Sequence, residues 1–261
     1  MAAAQACRQV RVPKANPHIL ITGASAGIGK ALCEKLAERS TISAIARRKD
    51  QLDVLSNNAP SLHPYSADVS DRQKLAAAIS RAQDEHGDID IAILNAGMYQ
   101  PVTAEHFDAA VFHQHMAVNY MGVIYCLEAI LPQMIKRRRG HIAIMASVAG
   151  YRGLPRSAAY GPSKAALQNL AESLYFDLTP KQIKVQLINP GFVETQATSV
   201  NDFTMPGLIT AERAADEVIK GLQQDKFEIA FPRGFTTFMK CASILPYNLY
   251  LSFASRFMKT G

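Results

Sequence analysis

Cysteine is scarce and scattered: Cys7, Cys33, Cys126 and Cys241 are the only four in 261 residues, and none forms a CxxC pair. That spacing argues against a zinc site and a disulfide frame, and points to free thiols in a reducing compartment. The seven histidines offer no better ligand set. His113 and His115 are two apart, so on a helix they point in different directions, and no metal is expected. Long hydrophobic runs are missing as well. The first 18 residues lack the continuous apolar stretch of a signal peptide, and no run reaches the length of a spanning helix. A soluble, cytoplasmic protein is the expectation. Acidic residues are outnumbered, 22 against 28 Lys and Arg, for a net charge of +6. The most basic run, Lys136–Arg139, nevertheless follows a helical pattern, stops at Gly140 and carries no interleaved aromatics. It reads as a helix C-terminus complementing the dipole, and no nucleic-acid partner is expected.

What is present is an alternation. Short apolar runs at His18–Thr22, Ile42–Ala46, Leu62–Ser66, Ile89–Leu94, His141–Met145, Ile183–Ile188 and Phe227–Phe231 read as strands. Helical patterns fill most of the gaps, from the glycines after Thr22 to about Arg39, then Asp71–Glu85, Phe107–Arg138, Ala158–Leu178 and Ala211–Gln223. Strands apolar on both faces, alternating with helices, predict an α/β fold: a doubly wound parallel seven-stranded sheet, Rossmann-like, in a three-layer α/β/α arrangement. No Pro/Gly/Ser-rich linker, repeat or low-complexity segment divides the chain. The expected organisation is a poorly ordered arm over 1–16, one dinucleotide-binding and catalytic domain over 17–232, and a helical extension over 233–261.

Straight after the first strand comes Thr22-Gly23-Ala24-Ser25-Ala26-Gly27-Ile28-Gly29. A glycine turn between strand and helix lets backbone approach a pyrophosphate, which then sits at the helix N-terminus. The second candidate strand ends in Ala46-Arg47-Arg48-Lys49 with no acid until Asp50. An acid there would suit the ribose hydroxyls of NAD, whereas Arg47 can pair with the additional phosphate of NADP.

Tyr160 and Lys164, at i and i+4, share one face of a helix whose first turn accommodates Gly161-Pro162. An ammonium beside the phenol is expected to lower its pKa toward the working range of an acid–base catalyst. Ser147 follows the fifth candidate strand, Asn95-Ala96-Gly97 the fourth, and Pro190-Gly191 the sixth. In a doubly wound sheet those carboxyl ends are where ligands bind.

Over about residues 17–232 the chain resembles the short-chain dehydrogenase/reductase family in its classical form. The resemblance rests on the T-G-x-x-x-G-x-G of Thr22–Gly29, the N-A-G of Asn95–Gly97, Asn119, Ser147, the Y-x-x-x-K of Tyr160–Lys164 and the P-G-x-x-x-T of Pro190–Thr195. It implies that Tyr160 is the general acid for carbonyl reduction and the base in reverse. Lys164 then binds the nicotinamide ribose and lowers the Tyr160 pKa, Ser147 bonds the substrate oxygen, and Asn119 holds a water in a proton relay toward Lys164. The implied cofactor contacts are Gly23, Gly27, Ile28 and Gly29 at the pyrophosphate, Arg47 with Ser25 at the 2′-phosphate, and Asp68 with Val69 at the adenine. Asn95, Ala96 and Gly97 lie beside the cofactor, and Pro190, Gly191, Val193 and Thr195 against the nicotinamide. Dimers or tetramers through the two long helices near 107–138 and 158–179 are also implied.

From Ile229 onward there is no acidic residue, while Arg233, Lys240, Arg256 and Lys259 are basic. Phe235, Phe238, Met239, Ala242 and Leu245 lie at helical spacing before Pro246, and Tyr247, Tyr250, Leu251, Ala254 and Met258 form a second apolar face, widened by Leu249, Phe253 and Phe257. Such a tail packs over the cleft or another subunit, or rests on an anionic membrane. The expected activity is NADP(H)-dependent reduction of a lipophilic ketone or aldehyde. The alternatives are an alcohol or steroid-type dehydrogenase working oxidatively, an NADP(H) sensor or scaffold without turnover, and a peripheral membrane-binding module acting through 233–261.

Overall fold

A computed structural model describes residues 16–196, 198 and 205–257. Most of the N-terminal arm, Met258 and part of the 192–208 loop lie outside these. The chain runs β1 (His18–Thr22), α1 (Gly27–Leu36), β2 (Thr41–Ala46), α2 (Lys49–Asn57), β3 (Leu62–Ser66), α3 (Arg72–His86) and β4 (Ile91–Leu94). It continues through α4 (Ala109–His115), α5 (Gly122–Arg137), β5 (Gly140–Met145), α6 (Tyr160–Leu178) and β6 (Ile183–Pro190). A small parallel pair follows, β7 (Val193–Glu194) and β8 (Ile209–Thr210), then α7 (Ala211–Leu222), β9 (Glu228–Phe231), α8 (Arg233–Ser243) and α9 (Tyr247–Phe257).

Seven strands form one sheet in the order β3-β2-β1-β4-β5-β6-β9, every pairing parallel. The doubly wound expectation holds. Period-two geometry divides the strand side chains between two cores. Ile19 and Ile21 of β1 pack with Ile42 of β2, Leu32 of α1 and Val218 of α7. Leu20, between them, packs on the opposite face with Leu75 of α3, Ile130 of α5 and Leu167 of α6. Successive connections leave β1 and β4 on opposite sides of their junction, the switch point where such sheets form a ligand crevice.

Two expectations need correction. The helix expected over Phe107–Arg138 is not uniform: Met116–Met121 is a π-helical turn between α4 and α5. Its wider winding places Asn119 fully inside the protein, which the regular 3.6-residue period cannot anticipate. Secondly, Ala109–Arg137 is long and apolar enough to cross a membrane by length and composition alone. The face carrying Val123, Leu127, Ile130 and Met134 is buried in the sheet core. The basic run after it behaves as expected: α5 ends at Arg137, Arg138 adopts φ 50°, and Arg137 and Arg139 pair with Asp88 and Asp90, each at 2.9 Å. Among the described residues Cys33, Cys126 and Cys241 are free, and no cluster of three or more His, Cys, Asp or Glu side chains could hold a metal.

Candidate active site

The carboxyl end of β1 is fastened to that of β4. Thr22 Oγ1 accepts from the backbone N–H of Asn95 and of Ala96, each at 3.0 Å, and the Asn95 amide donates back to the Thr22 carbonyl at 2.9 Å. Between these strands the chain turns through Gly23 (φ 69°) and Gly27 (φ 53°), a region that disfavours any Cβ. At Gly29 a Cβ would stand 2.2 Å from the Gly23 carbonyl oxygen, so α1 begins with its backbone pressed into the turn.

Above the turn lies a cleft of about 550 Å³. Gly23, Ser25, Gly27, Ile28, Arg47, Asp68, Val69, Asn95, Ala96, Gly97, Ser147, Tyr160, Lys164, Pro190, Gly191, Val193 and Thr195 all line it. Gly29 and Asn119 stand behind the lining. Arg47 and its neighbour Arg48 both line the cleft, but they are held differently. The Arg47 guanidinium is largely exposed, 3.8 Å from Asp68, whereas Arg48 donates to Ser25 Oγ at 3.1 and 3.3 Å and to Gln196 at 3.4 Å. The sequence offered the pair Arg47-Arg48, but a strand buried on both faces does not reveal which one turns toward the glycine loop.

Ser147 sits just past β5 and caps a short 3-10 turn, Val148–Gly150, with its Oγ accepting from the Ala149 N–H at 3.1 Å. The same hydroxyl lies near the phenol of Tyr160, the first residue of α6, and favours its ionised form. One turn further on, Lys164 is buried and donates to the Met145 carbonyl at 2.8 Å. Its Nζ lies 5.7 Å from the centre of the Tyr160 ring. Burial lowers the lysine to about 8. Burial also pushes Tyr160 up to about 12; the Ser147 hydroxyl pulls it down and Tyr99 adds to the rise. The expected downward shift by Lys164 is therefore corrected: its ammonium stands 5.7 Å from the ring centre, and desolvation outweighs what lowers the phenol.

Asn119 is placed beneath this group by the π turn. Its amide donates to the Met98 carbonyl at 3.1 Å and to Ser163 Oγ at 2.9 Å, and its oxygen accepts from the Met98 N–H at 2.7 Å. That locks the strand end Asn95–Met98 against the start of α6. His115, also buried, accepts from the Gln100 N–H at 3.1 Å and bonds the Val111 carbonyl through Nδ1 at 2.8 Å, so it is a satisfied histidine.

Beyond Tyr160 the cleft wall changes character. Met98, Tyr99, Val118, Leu154, Pro155 and Phe192 make it largely apolar, with Gln114 and Ser157 as uncharged polar members, while the charged lining residues, Arg47, Arg48, Asp68 and Lys164, lie toward the glycine turn or beneath Tyr160. Tyr99 meets Tyr160 edge-on, ring centres 5.1 Å apart, and Phe192 packs on Phe235 of α8 at 5.5 Å. The tail is docked next to this wall. Arg152 donates to the carbonyls of Ser243 (2.9 Å) and Leu245 (2.5 Å) and stacks on Tyr247 and Tyr250, while Tyr250 donates to the Gly153 carbonyl at 2.8 Å. Met239, Ala242, Tyr250 and Ala254 are buried; Phe238, Ile244, Tyr247, Leu249 and Leu251 are exposed.

Comparison with known proteins agrees with this geometry. Residues 17–204 match the family model described as short chain dehydrogenase. An uncharacterised oxidoreductase of Myxococcus xanthus is 34% identical over 242 residues, covering 91% of this chain and 96% of its own. A Burkholderia cenocepacia short chain dehydrogenase, solved in complex with NADP, is 27% identical, with a TM-score of 0.80 over 93% of this chain and 99% of its own. A Burkholderia phymatum short chain dehydrogenase/reductase, solved with NAD, also has a TM-score of 0.80, at 23% identity over 88% of this chain and 94% of its own. At that identity the likeness is one of fold.

Proposed function

The chain belongs to the short-chain dehydrogenase family of oxidoreductases, and from that premise we propose that it reduces a neutral, apolar ketone or aldehyde to the alcohol with NADPH. The observation that carries this is the meeting of Ser147, Tyr160 and Lys164 in one cleft continuous with the glycine turn.

The residues suit a dinucleotide. Gly23 and Gly27 have the positive φ of a phosphate-binding turn, and Gly29 allows α1 to start against it. We assign Ser25, Arg47 and Arg48 to the 2′-phosphate, Asp68 and Val69 to the adenine, and Asn95, Ala96 and Gly97 to the cofactor's middle. Pro190, Gly191, Val193 and Thr195 are assigned to the nicotinamide, and Lys164 to its ribose. The bound nicotinamide supplies the hydride.

The protein's own groups handle the oxygen. Ser147 and Tyr160 donate hydrogen bonds to the substrate carbonyl, stabilising the negative charge that grows on it. Tyr160, a phenol held protonated by burial, delivers its proton to that oxygen. Lys164 places a positive charge behind the phenol and restrains the anion left on it. Asn119 fixes the Met98 backbone and Ser163 around them, and we assign the relay water to its turn. The largely apolar wall carries no cation, so a carboxylate or phosphate on the substrate would stand there without a charged partner.

The catalytic domain is assigned to 17–232 in a cytoplasmic homodimer or homotetramer paired through α5 and α6. The tail's exposed row, with no acidic residue from Ile229 onward, is assigned as a contact for anionic lipid. Gel filtration and flotation with anionic vesicles test these two assignments. The activity itself is tested by NADPH oxidation against ketones ranging from small and polar to long-chain. Turnover rising with apolar chain length is expected, and turnover confined to charged ketones would overturn the substrate class.

A further inference from the structure

A partly buried polar chain runs from Ser147 to the C-terminal tail through four elements, and Gln168, Asn189, Glu228 and Lys240 all lie outside the lining of the cleft. Gln168, on α6, donates through Nε2 to the Ser147 carbonyl at 2.9 Å and to Asn189 Oδ1 at 3.2 Å. Asn189, near the end of β6 and fully buried, donates through Nδ2 to Glu228 Oε1 at 2.8 Å. Glu228 opens β9, and the same oxygen accepts from the Tyr151 hydroxyl at 2.5 Å. Its other oxygen accepts from Lys240 of α8.

We propose that Gln168, Asn189 and Glu228 are positioning residues that hold the Ser147 turn in register with Tyr160, with Lys240 joining the tail to the same chain. The proposal rests on the catalytic reading of Ser147 and Tyr160. Ser147 has two polar attachments that matter here. Its Oγ faces Tyr160 and the Ala149 N–H, and its carbonyl accepts from Gln168 as well as from the Gly150 N–H at 3.0 Å. Fixing the carbonyl fixes the peptide plane from which the hydroxyl is aimed. Gln168 can do this because Gly150 leaves it room: a Cβ there would lie 2.6 Å from Nε2.

The direction of the bonds shows where the chain is anchored. Each amide passes its donor one step toward Glu228, so the sequence Gln168 to Asn189 to Glu228 ends on a carboxylate that accepts from three donors. Burial pushes that carboxyl up, but Lys240, Tyr151 and Asn189 more than offset it and leave it below the usual range. A charged acceptor makes stronger hydrogen bonds than a neutral one, so it suits the fixed end of such a chain. Tyr151, four residues after Ser147, ties the far side of the same turn to the same carboxylate.

The test compares Gln168→Leu, Glu228→Ala and Glu228→Gln with the unaltered protein and Tyr160→Phe. NADPH affinity, kcat and KM are measured, together with hydrogen exchange of the 147–151 backbone. Gln168→Leu and Glu228→Ala should lower kcat about 10-fold or more, a modest misplacement effect. KM and NADPH affinity should stay nearly unchanged, and exchange at 147–151 should speed up. Glu228→Gln, which keeps an acceptor for Asn189 and Tyr151, should recover most of kcat. Unchanged kcat with unchanged exchange in Gln168→Leu, while Tyr160→Phe is inactive, overturns the positioning proposal and leaves the catalytic reading standing. Full activity in Tyr160→Phe overturns the catalytic reading, and the exchange of 147–151 then decides whether the chain holds the turn at all.

Discussion

Arg48 donates to the Ser25 hydroxyl at 3.1 and 3.3 Å, bringing a guanidinium from the end of β2 onto the glycine turn, while its neighbour Arg47 faces Asp68 at 3.8 Å. The two arginines are thus unequal. A charge-assisted bond to a phosphate contributes roughly 1.5–3 kcal/mol, or about 10- to 100-fold in affinity. Arg48→Ala should weaken NADPH by that factor and leave NADH almost untouched, and Arg47→Ala should do less. Fluorescence titration with both cofactors checks this; equal losses for NADPH and NADH would remove the phosphate assignment.

Lys164 should limit the pH range of reduction. Tyr160, at about 12, remains a proton donor throughout the neutral range. Lys164, at about 8, loses its charge as pH rises through that value. The rate of reduction should therefore be level below about 8 and fall above it. In Lys164→Arg, whatever activity remains should keep its level to higher pH because guanidinium stays charged. A pH–rate profile of both proteins provides the comparison.

The same lysine should cost stability. Its folded pKa is depressed, so the unfolded chain holds the proton more tightly and stability rises as pH climbs from about 8 toward 10.5. At pH 7 the charged form is buried at a penalty. Lys164→Met should stabilise the protein by about 1–2 kcal/mol, after allowance for the lost bond to the Met145 carbonyl, while abolishing turnover. Urea unfolding at pH 7 reads the sign, and a destabilised variant would contradict the prediction.

Much of this site is legible in sequence because its positions follow from strand ends. A parallel sheet puts every β-to-α turn on one edge, so Gly23–Gly29, Asn95–Gly97, Ser147 and Pro190-Gly191 could be gathered there from the apolar strand pattern, whereas Val193 and Thr195 came only from the family resemblance. The Tyr160–Lys164 pair follows from helical spacing. What was not legible depends on contacts between distant elements. The π turn at Asn119 departs from the regular period, and the choice between Arg47 and Arg48 depends on a one-residue rotation at the end of β2. Gln168, Asn189 and Glu228 look like ordinary polar residues until three elements bring them together.

Arg152 fixes the tail. It serves two carbonyls at the junction of α8 and α9 and stacks on Tyr247 and Tyr250. Arg152→Ala should strip those carbonyls of their donor and cost about 2–3 kcal/mol locally. Hydrogen exchange should then accelerate in α9 and leave the sheet unaffected. Uniform exchange across both would show that the tail is held by something else.

The central claim concerns the Tyr160 hydroxyl, and the most direct measurement is NADPH oxidation by the unaltered protein and by Tyr160→Phe with the best ketone of the chain-length series. Removing only that hydroxyl should lower kcat by about 100- to 10,000-fold and leave NADPH binding intact. A Phe variant that reduces the ketone at the unaltered rate, or an unaltered protein that binds NADPH and reduces no ketone, would contradict the account.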